Sequence, residues 1–288
     1  MSTGSNRRRL SCIAAAATLC GIGLGSPARA QYFSKDDGFT ADGRWQVQTE
    51  LMPYVWVPGV SGSLHMGNPR GSSIDFNSGI PSASTLAHTL RGAFMGAGLV
   101  RYGPFSTEFD LDYVAVNQST NLPAPNAGRS NRVNVSASLV RFAPGLGLEA
   151  YRGDIAGVQT IIDVRAGFAF FASGQAIKGE GDLQGLGRSG SDTFIQPWIG
   201  ARATFIPSPK WRVMVNGVYQ GMGVDGGSQG WGATVIASYA VTGWMDVSLG
   251  FRALESARAE APGNLPGSDR RSLSILAYGP LLGVGFRF

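Results

Sequence analysis

The decapeptide FSTEFDLDYV, Phe105 to Val114, decides the fold. Phe105, Thr107, Phe109, Leu111 and Tyr113 fall on one side of an extended chain, and Ser106, Glu108, Asp110 and Asp112 on the other. A period of two is a strand, not a helix. Three acids on one face cannot point into an apolar core, because a buried, unpaired carboxylate is too costly; they need water or basic partners. The pattern recurs along the chain. In Trp211 to Met222, Trp211, Val213, Val215 and Tyr219 oppose Arg212, Met214, Asn216 and Gln220. Met245, Val247, Leu249 and Phe251 oppose Asp246, Ser248 and Arg252; Ile162, Val164, Ala166, Phe168 and Phe170 oppose Asp163 and Arg165. Near the start, Trp45, Val47, Leu51 and Val55 oppose Gln46, Gln48 and Glu50.

Alternation alone fits a soluble sandwich with its polar face outside or a membrane barrel with its apolar face outside. Three features favour the barrel. Aromatics gather near the ends of the apolar faces (Trp45, Trp211 with Tyr219, Trp231 with Tyr239, Trp244 with Phe251), as interfacial girdles do. The strand candidates run to ~10 to 14 residues or more, longer than the ~5 to 6 usual in globular sheets and enough for a tilted crossing. Connections also alternate between short and long. Gly103-Pro104, Arg152 to Ile155, Pro207 to Lys210 and Thr242-Gly243 read as tight turns; Asn117 to Asn131, Ala176 to Asp192, Val224 to Ser228 and Ala259 to Arg271 read as longer loops.

Outer-membrane barrels have short periplasmic turns and longer outside loops. Counting back from a periplasmic C-terminus gives strands near 272–288, 244–258, 229–241, 211–223, 193–206, 157–175, 132–150, 105–117, 90–102 and 45–57. The expected fold is therefore all-β, a transmembrane antiparallel up-and-down β-barrel of about ten strands, with twelve or eight as alternatives. Pro58 to Thr89 is expected as a long first outside segment holding a small hairpin (Val60 to Met66 with Ser72 to Phe76) and a short helix near Ser84 to Leu90. A shift of apolar phase near Leu139-Val140 predicts a bulge that keeps Arg141 inward.

Residues 1–30 read as a cleaved secretory signal: Arg7, Arg8 and Arg9, an apolar run from Leu10 to Gly25, and Ala28-Arg29-Ala30 as a small-x-small cleavage site. That leaves 31–44 as a short periplasmic segment and 45–288 as the barrel. The whole chain has 24 basic and 19 acidic side chains. The signal holds four arginines and no acids, so the mature charge is 24 − 4 − 19 = +1. That balance gives no support for a nucleic-acid partner. Both cysteines, Cys12 and Cys20, lie in the signal.

Motifs with chemistry are few. Gly221 to Gly226 matches GxGxxG, but a strand follows where a helix is needed. Arg152-Gly153-Asp154 reads as a turn. His65 and His88 are the only histidines, and neither local context (SLHMG, LAHTL) presents a histidine paired with a serine or acids in a defined catalytic arrangement. No cofactor or metal site is expected. The inward charges are the candidates of interest: Glu50, Glu108, Asp110, Asp112, Glu149, Asp163, Asp246 and Glu255 against Arg91, Arg101, Arg141, Arg165, Arg202, Arg212, Arg252 and Arg287. They read as a lumen cross-linked by ion pairs, with a narrow polar pore as the functional alternative.

The stretches PYVWVPGVSG (Pro53 to Gly62), RGAFMGAGLVRYGPF (Arg91 to Phe105), WIGARATF (Trp198 to Phe205) and YGPLLGVGFRF (Tyr278 to Phe288) resemble small, largely uncharacterised outer-membrane β-barrel proteins of proteobacteria. The resemblance implies an exported protein integral to the outer membrane, surrounded by its lipids. It also implies biogenesis through periplasmic chaperones and the barrel-assembly machinery, with Phe286 and Phe288 as the assembly signal. It supplies no activity. The expected function is non-enzymatic, a porin-like small-solute channel or a structural or surface protein. The alternatives are a barrel enzyme acting on lipid or peptide and a soluble secreted β-sandwich.

Overall fold

In the computed structural model, residues 33, 34, 38–40, 42–65, 73–77, 79, 80, 90–123, 130–180, 187–224, 229–259 and 272–288 are described. The strands are β1 (Val47–Trp56), β2 (Gly59–His65), β3 (Ser73–Asn77), β4 (Leu90–Tyr102), β5 (Phe105–Pro123), β6 (Ser130–Ile155), β7 (Val158–Glu180), β8 (Gly187–Ser208), β9 (Trp211–Gln220), β10 (Gln229–Ala240), β11 (Met245–Ala259) and β12 (Ser272–Arg287). β4 to β12 pair in sequence, each antiparallel to the next, and β1 lies between β4 and β12, closing the ring. Ten staves make the barrel.

The first outside hairpin is β2–β3, and it adds no staves. Glu50 lies opposite Arg287, Trp56 opposite Leu281, Gly59 opposite Tyr278 and His65 opposite Ser272, so β1 and β2 continue one another along β12 in a single register. Pro58 lacks an N–H and interrupts the line. β3 pairs with β2, raising the wall locally. Most of the expected helix near 84–90 lies outside the described residues, and Leu90 already opens β4.

The register fixes the barrel's dimensions. From Gln48 the paired residues run through Arg101, Ser106, Gly147, Arg165, Gly200, Val218, Gly232, Leu254 and Ala277 to Val60, a stagger of 60 − 48 = 12 residues. At ~3.3 Å per residue and ~4.8 Å between strands, that stagger over ten strands tilts them by about 40°. Opposite backbones then stand roughly 20 Å apart, close enough for long side chains from facing walls to meet.

The alternation resolves as apolar outside and charged inside. Leu146, Leu249, Val55, Val164 and Phe168 are exposed on the outer face, while Arg101, Asp112, Asp163, Arg165, Arg202 and Arg252 are buried within. Trp45 meets Tyr102 and Phe105, Trp211 meets Tyr239, and Trp244 stacks on Phe286, forming an aromatic belt at the end that carries the tight turns. On β10, Trp231 and Tyr239 are both exposed on the outer face, eight residues apart. That is about 27 Å of strand and ~20 Å of height, close to the ~25 Å apolar band of outer-membrane barrels.

Three local expectations change. No bulge occurs at Leu139-Val140, because pairing runs unbroken from Tyr113–Val140 through Val114–Leu139 and on to Ser173. The apolar phase alters because the interior itself becomes apolar there: Val114 packs against an inner cluster. The register shift lies instead between Glu149 and Tyr151. Arg152 to Ile155 is not a turn but the end of β6, and the two-residue turn is Ala156-Gly157, with φ of 52° and 79°. Two left-handed residues match the twist of the flanking strands. Glu255, expected inside, faces outward beside Trp231, to whose indole N–H it is bonded.

Candidate functional site

The inward acids on β5 follow one another at every second residue, so their charges repel unless cations intervene. Asp110 and Asp112 receive Arg141 from the adjacent β6 at 2.9 and 3.1 Å, and Arg252 from β11, four staves away, at 2.6 and 3.3 Å. The Tyr54 hydroxyl accepts from Arg252 at 2.5 Å and lies 2.6 Å from Asp110 Oδ1 and 2.8 Å from Asp112 Oδ1.

A second knot forms around Asp163, which is fully buried. Arg101 Nη2 donates to its two oxygens at 2.9 and 2.8 Å, and Arg202 donates through Nε at 3.0 Å and Nη2 at 2.8 Å. Arg101 also reaches Glu149 at 3.1 Å, and Glu149 pairs with Arg152. Glu108 bridges Arg202 at 2.8 Å and Arg165 at 2.5 Å, and Arg165 donates to Asn216. Nearer the tight-turn end, Arg212 pairs with Glu50 across the lumen, and Arg287 stands 3.6 Å from Asp246. Each guanidinium offers five donors in a rigid fork, so one arginine ties two or three strands at once.

The tight-turn end is capped. Phe33 is 3% exposed, packs with Ile206 and Ala240, and donates its N–H to the Pro209 carbonyl at 2.9 Å. Its ring lies 4.1 Å from the Arg287 guanidinium and 4.6 Å from that of Arg212. Phe39 sits 4.7 Å from Arg152. In the adjoining turn, a hydrogen bond from the Thr40 hydroxyl holds the Asp42 carboxyl below the ordinary carboxylate range.

Between cap and upper wall lies a cavity of about 170 Å³ to which all ten staves contribute. Its two sides differ. β9 to β12 and β1 present the apolar cluster Met214, Ile236, Leu254, Leu281 and Met52 beside Glu50, Arg212 and Arg252, whereas β5 to β8 present Glu108, Asp110, Arg141, Arg165 and Arg202 beside Ala143, Ile161 and Trp198. Trp198 also lines it, buried against the backbone at two glycines: a Cβ at Gly145 would sit 2.3 Å from its ring, and one at Gly167 2.8 Å.

All ten luminal charges expected from the sequence (Glu108, Asp110, Asp112, Arg141, Asp163, Arg165, Arg202, Arg212, Asp246 and Arg252) face inward, and the structure gathers them into these few knots. Phe286 is half-buried against Trp244, and Phe288 is exposed on the outer face. Tyr54, Phe33 and the apolar cluster carry no charge and so stand outside the residues expected from the sequence. Parity could have found Met52, Tyr54 and Trp56, which share a face with Glu50. Among the described residues, no group of His, Cys, Asp and Glu side chains is placed to hold a metal ion, and no helix is long and apolar enough to cross a membrane.

A closed, staggered, ten-stranded antiparallel barrel with an apolar outer band and an ion-paired interior defines an integral outer-membrane β-barrel protein. Among solved structures the chain is similar to the outer-membrane protease OmpT of Escherichia coli, at 10% identity and a TM-score of 0.42, covering 90% of this chain and 100% of that one. It is also similar to the translocator domain of the autotransporter NalP from Neisseria meningitidis (11% identity, TM-score 0.41, 88% of this chain, 92% of that one). A third is Ail, the attachment invasion locus protein of Yersinia pestis, in complex with the heparin analogue sucrose octasulfate (9% identity, TM-score 0.30, 84% and 99%). No protein-family model matches the chain, nor does any curated protein sequence.

Proposed function

We propose that this protein is a closed, non-enzymatic barrel of the outer membrane that serves as a structural or surface protein, its lumen a cross-braced core and not an open solute path. The observation that carries this reading is the bracing of facing walls by buried arginines, above all Arg252 between β11 and β5. A conducting pore needs weak, hydrated sites that an ion can leave, whereas these guanidinium and carboxylate groups bind one another across the lumen. The wall height supports a surface role: β5 to β8 run 19 to 26 residues, against 10 and 12 for β9 and β10, so one flank rises well beyond the membrane. Export would use the segment 1–30 as a signal, and Phe286 and Phe288 would present the assembly signal.

Planar-bilayer recording tests the reading. The folded wild-type barrel is expected to show no unit conductance steps, and steady steps from the wild type would replace it with the porin-like alternative. Outer-membrane fractionation with a boiled-versus-unboiled mobility comparison checks the location; a soluble protein with no shift would overturn it.

A further inference from the structure

We propose that the luminal cavity binds a small amphipathic monoanion: an apolar body of about six carbons with one carboxylate or similarly acidic head. Three independent observations converge on that chemistry.

The first is size. A dry apolar cavity of ~150 Å³ accepts benzene, so one of about 170 Å³ holds a body of that class and excludes a phospholipid. The second is the division of the lining. An apolar cluster (Met52, Met214, Ile236, Leu281) faces staves where three arginines outnumber two acids, which matches a ligand apolar at one end and anionic at the other.

The third is the balance of charge and donors. Among the described residues, the luminal ion pairs set out above use eight arginines against seven carboxylates, 8 − 7 = +1. A net charge out of water requires a counter-charge. Four donors borne by lining residues, Nε of Arg141, Arg165 and Arg252 and Nε1 of Trp198, are buried behind the cavity surface with no hydrogen-bond partner. The acids that line the cavity are already held by arginines. A cavity whose lining carries more guanidinium than carboxylate groups takes an acceptor, and an anionic one most strongly. A cationic or neutral guest would leave the excess charge uncompensated.

The inference is separable from the closed-lumen reading, since binding to micellar protein does not depend on whether the barrel conducts. The experiment is calorimetric titration of the full chain, folded in detergent micelles and verified by its heat-dependent mobility, with hexanoate, hexan-1-ol and hexylammonium, each against a micelle blank. Hexanoate is expected to bind saturably at one site, hexanol about tenfold or more weaker for want of the charge-assisted contacts, and hexylammonium not at all. Ile236→Trp, which fills the apolar wall, is expected to abolish hexanoate binding. Equal affinity for hexanoate and hexanol, binding of hexylammonium, no binding of hexanoate to the folded wild type, or full affinity in a folded Ile236→Trp barrel would each overturn the proposal.

Discussion

Asp163→Ala is the sharpest test of the braced lumen. The side chain is fully buried and takes four charge-assisted contacts of 2.8 to 3.0 Å from Arg101 and Arg202. Truncation deletes those contacts and leaves two guanidinium groups facing each other in a low-dielectric interior. Glu149 and Glu108 still hold one nitrogen of each. Breaking a buried pair by removing one partner costs about 3–5 kcal/mol, and the shared position of Asp163 between two arginines argues for the upper half of that range. Urea unfolding in micelles, followed by tryptophan fluorescence and by gel mobility, measures the loss. Removing Arg202 as well takes away one stranded charge, so the double variant should be less destabilised than the sum of the singles, with a coupling of about 1–3 kcal/mol. Asp42→Ala is the control, because the Asp42–Arg44 pair is solvent-exposed and should not register. If Asp163→Ala unfolds together with Asp42→Ala and the wild type, the luminal pairs are not what holds the walls together.

The outer face and the cap give two further predictions. Val235 lies mid-strand on the outer face, 47% exposed, so Val235→Arg should destabilise the barrel by about 2–4 kcal/mol in lipid vesicles, read by urea titration. Phe33→Ala removes the ring that covers Arg212 and Arg287, so protease cleavage within the N-terminal segment should quicken by about tenfold or more while the barrel's heat-shift temperature stays unchanged. A fall in that temperature would mean that the cap is part of the cooperative barrel.

Much of the wall was legible because its signals are local. The polarity of FSTEFDLDYV puts Glu108, Asp110 and Asp112 inside whatever their partners are. The tight turn at Gly103-Pro104 is legible as a short break between alternating runs, and that expected over Pro207 to Lys210 narrows to the two residues between Ser208 and Trp211. Legibility failed where one local signal stood for two causes. At Leu139 a change of apolar phase looked like a bulge, yet the backbone is regular and it is the interior that turns apolar, beside Val114. At Arg152 to Asp154 a turn-like composition sits in a strand, because the left-handed pair Ala156-Gly157 supplies the reversal. Glu255, expected inward for its charge, is an odd number of residues from Arg252, and the strand's parity sends it out to Trp231.

By itself the sequence determined the period and the sign of nearly every inward residue, since these depend on neighbours along one strand; loop lengths and aromatic girdles pointed to a barrel of about ten staves, and the closed pairing of β1 with β4 and β12 decided the count. Only the tertiary structure decided which charges meet. Arg252 and Asp110 are 142 residues apart, and Asp163 and Arg101 are 62. Their contact follows from a stagger of twelve that emerges only when ten registers are summed around a closed ring. The same closure set Met52, Ile236 and Leu281 opposite the arginines, making of the lumen a two-sided cavity where strand-by-strand reading saw only a polar one.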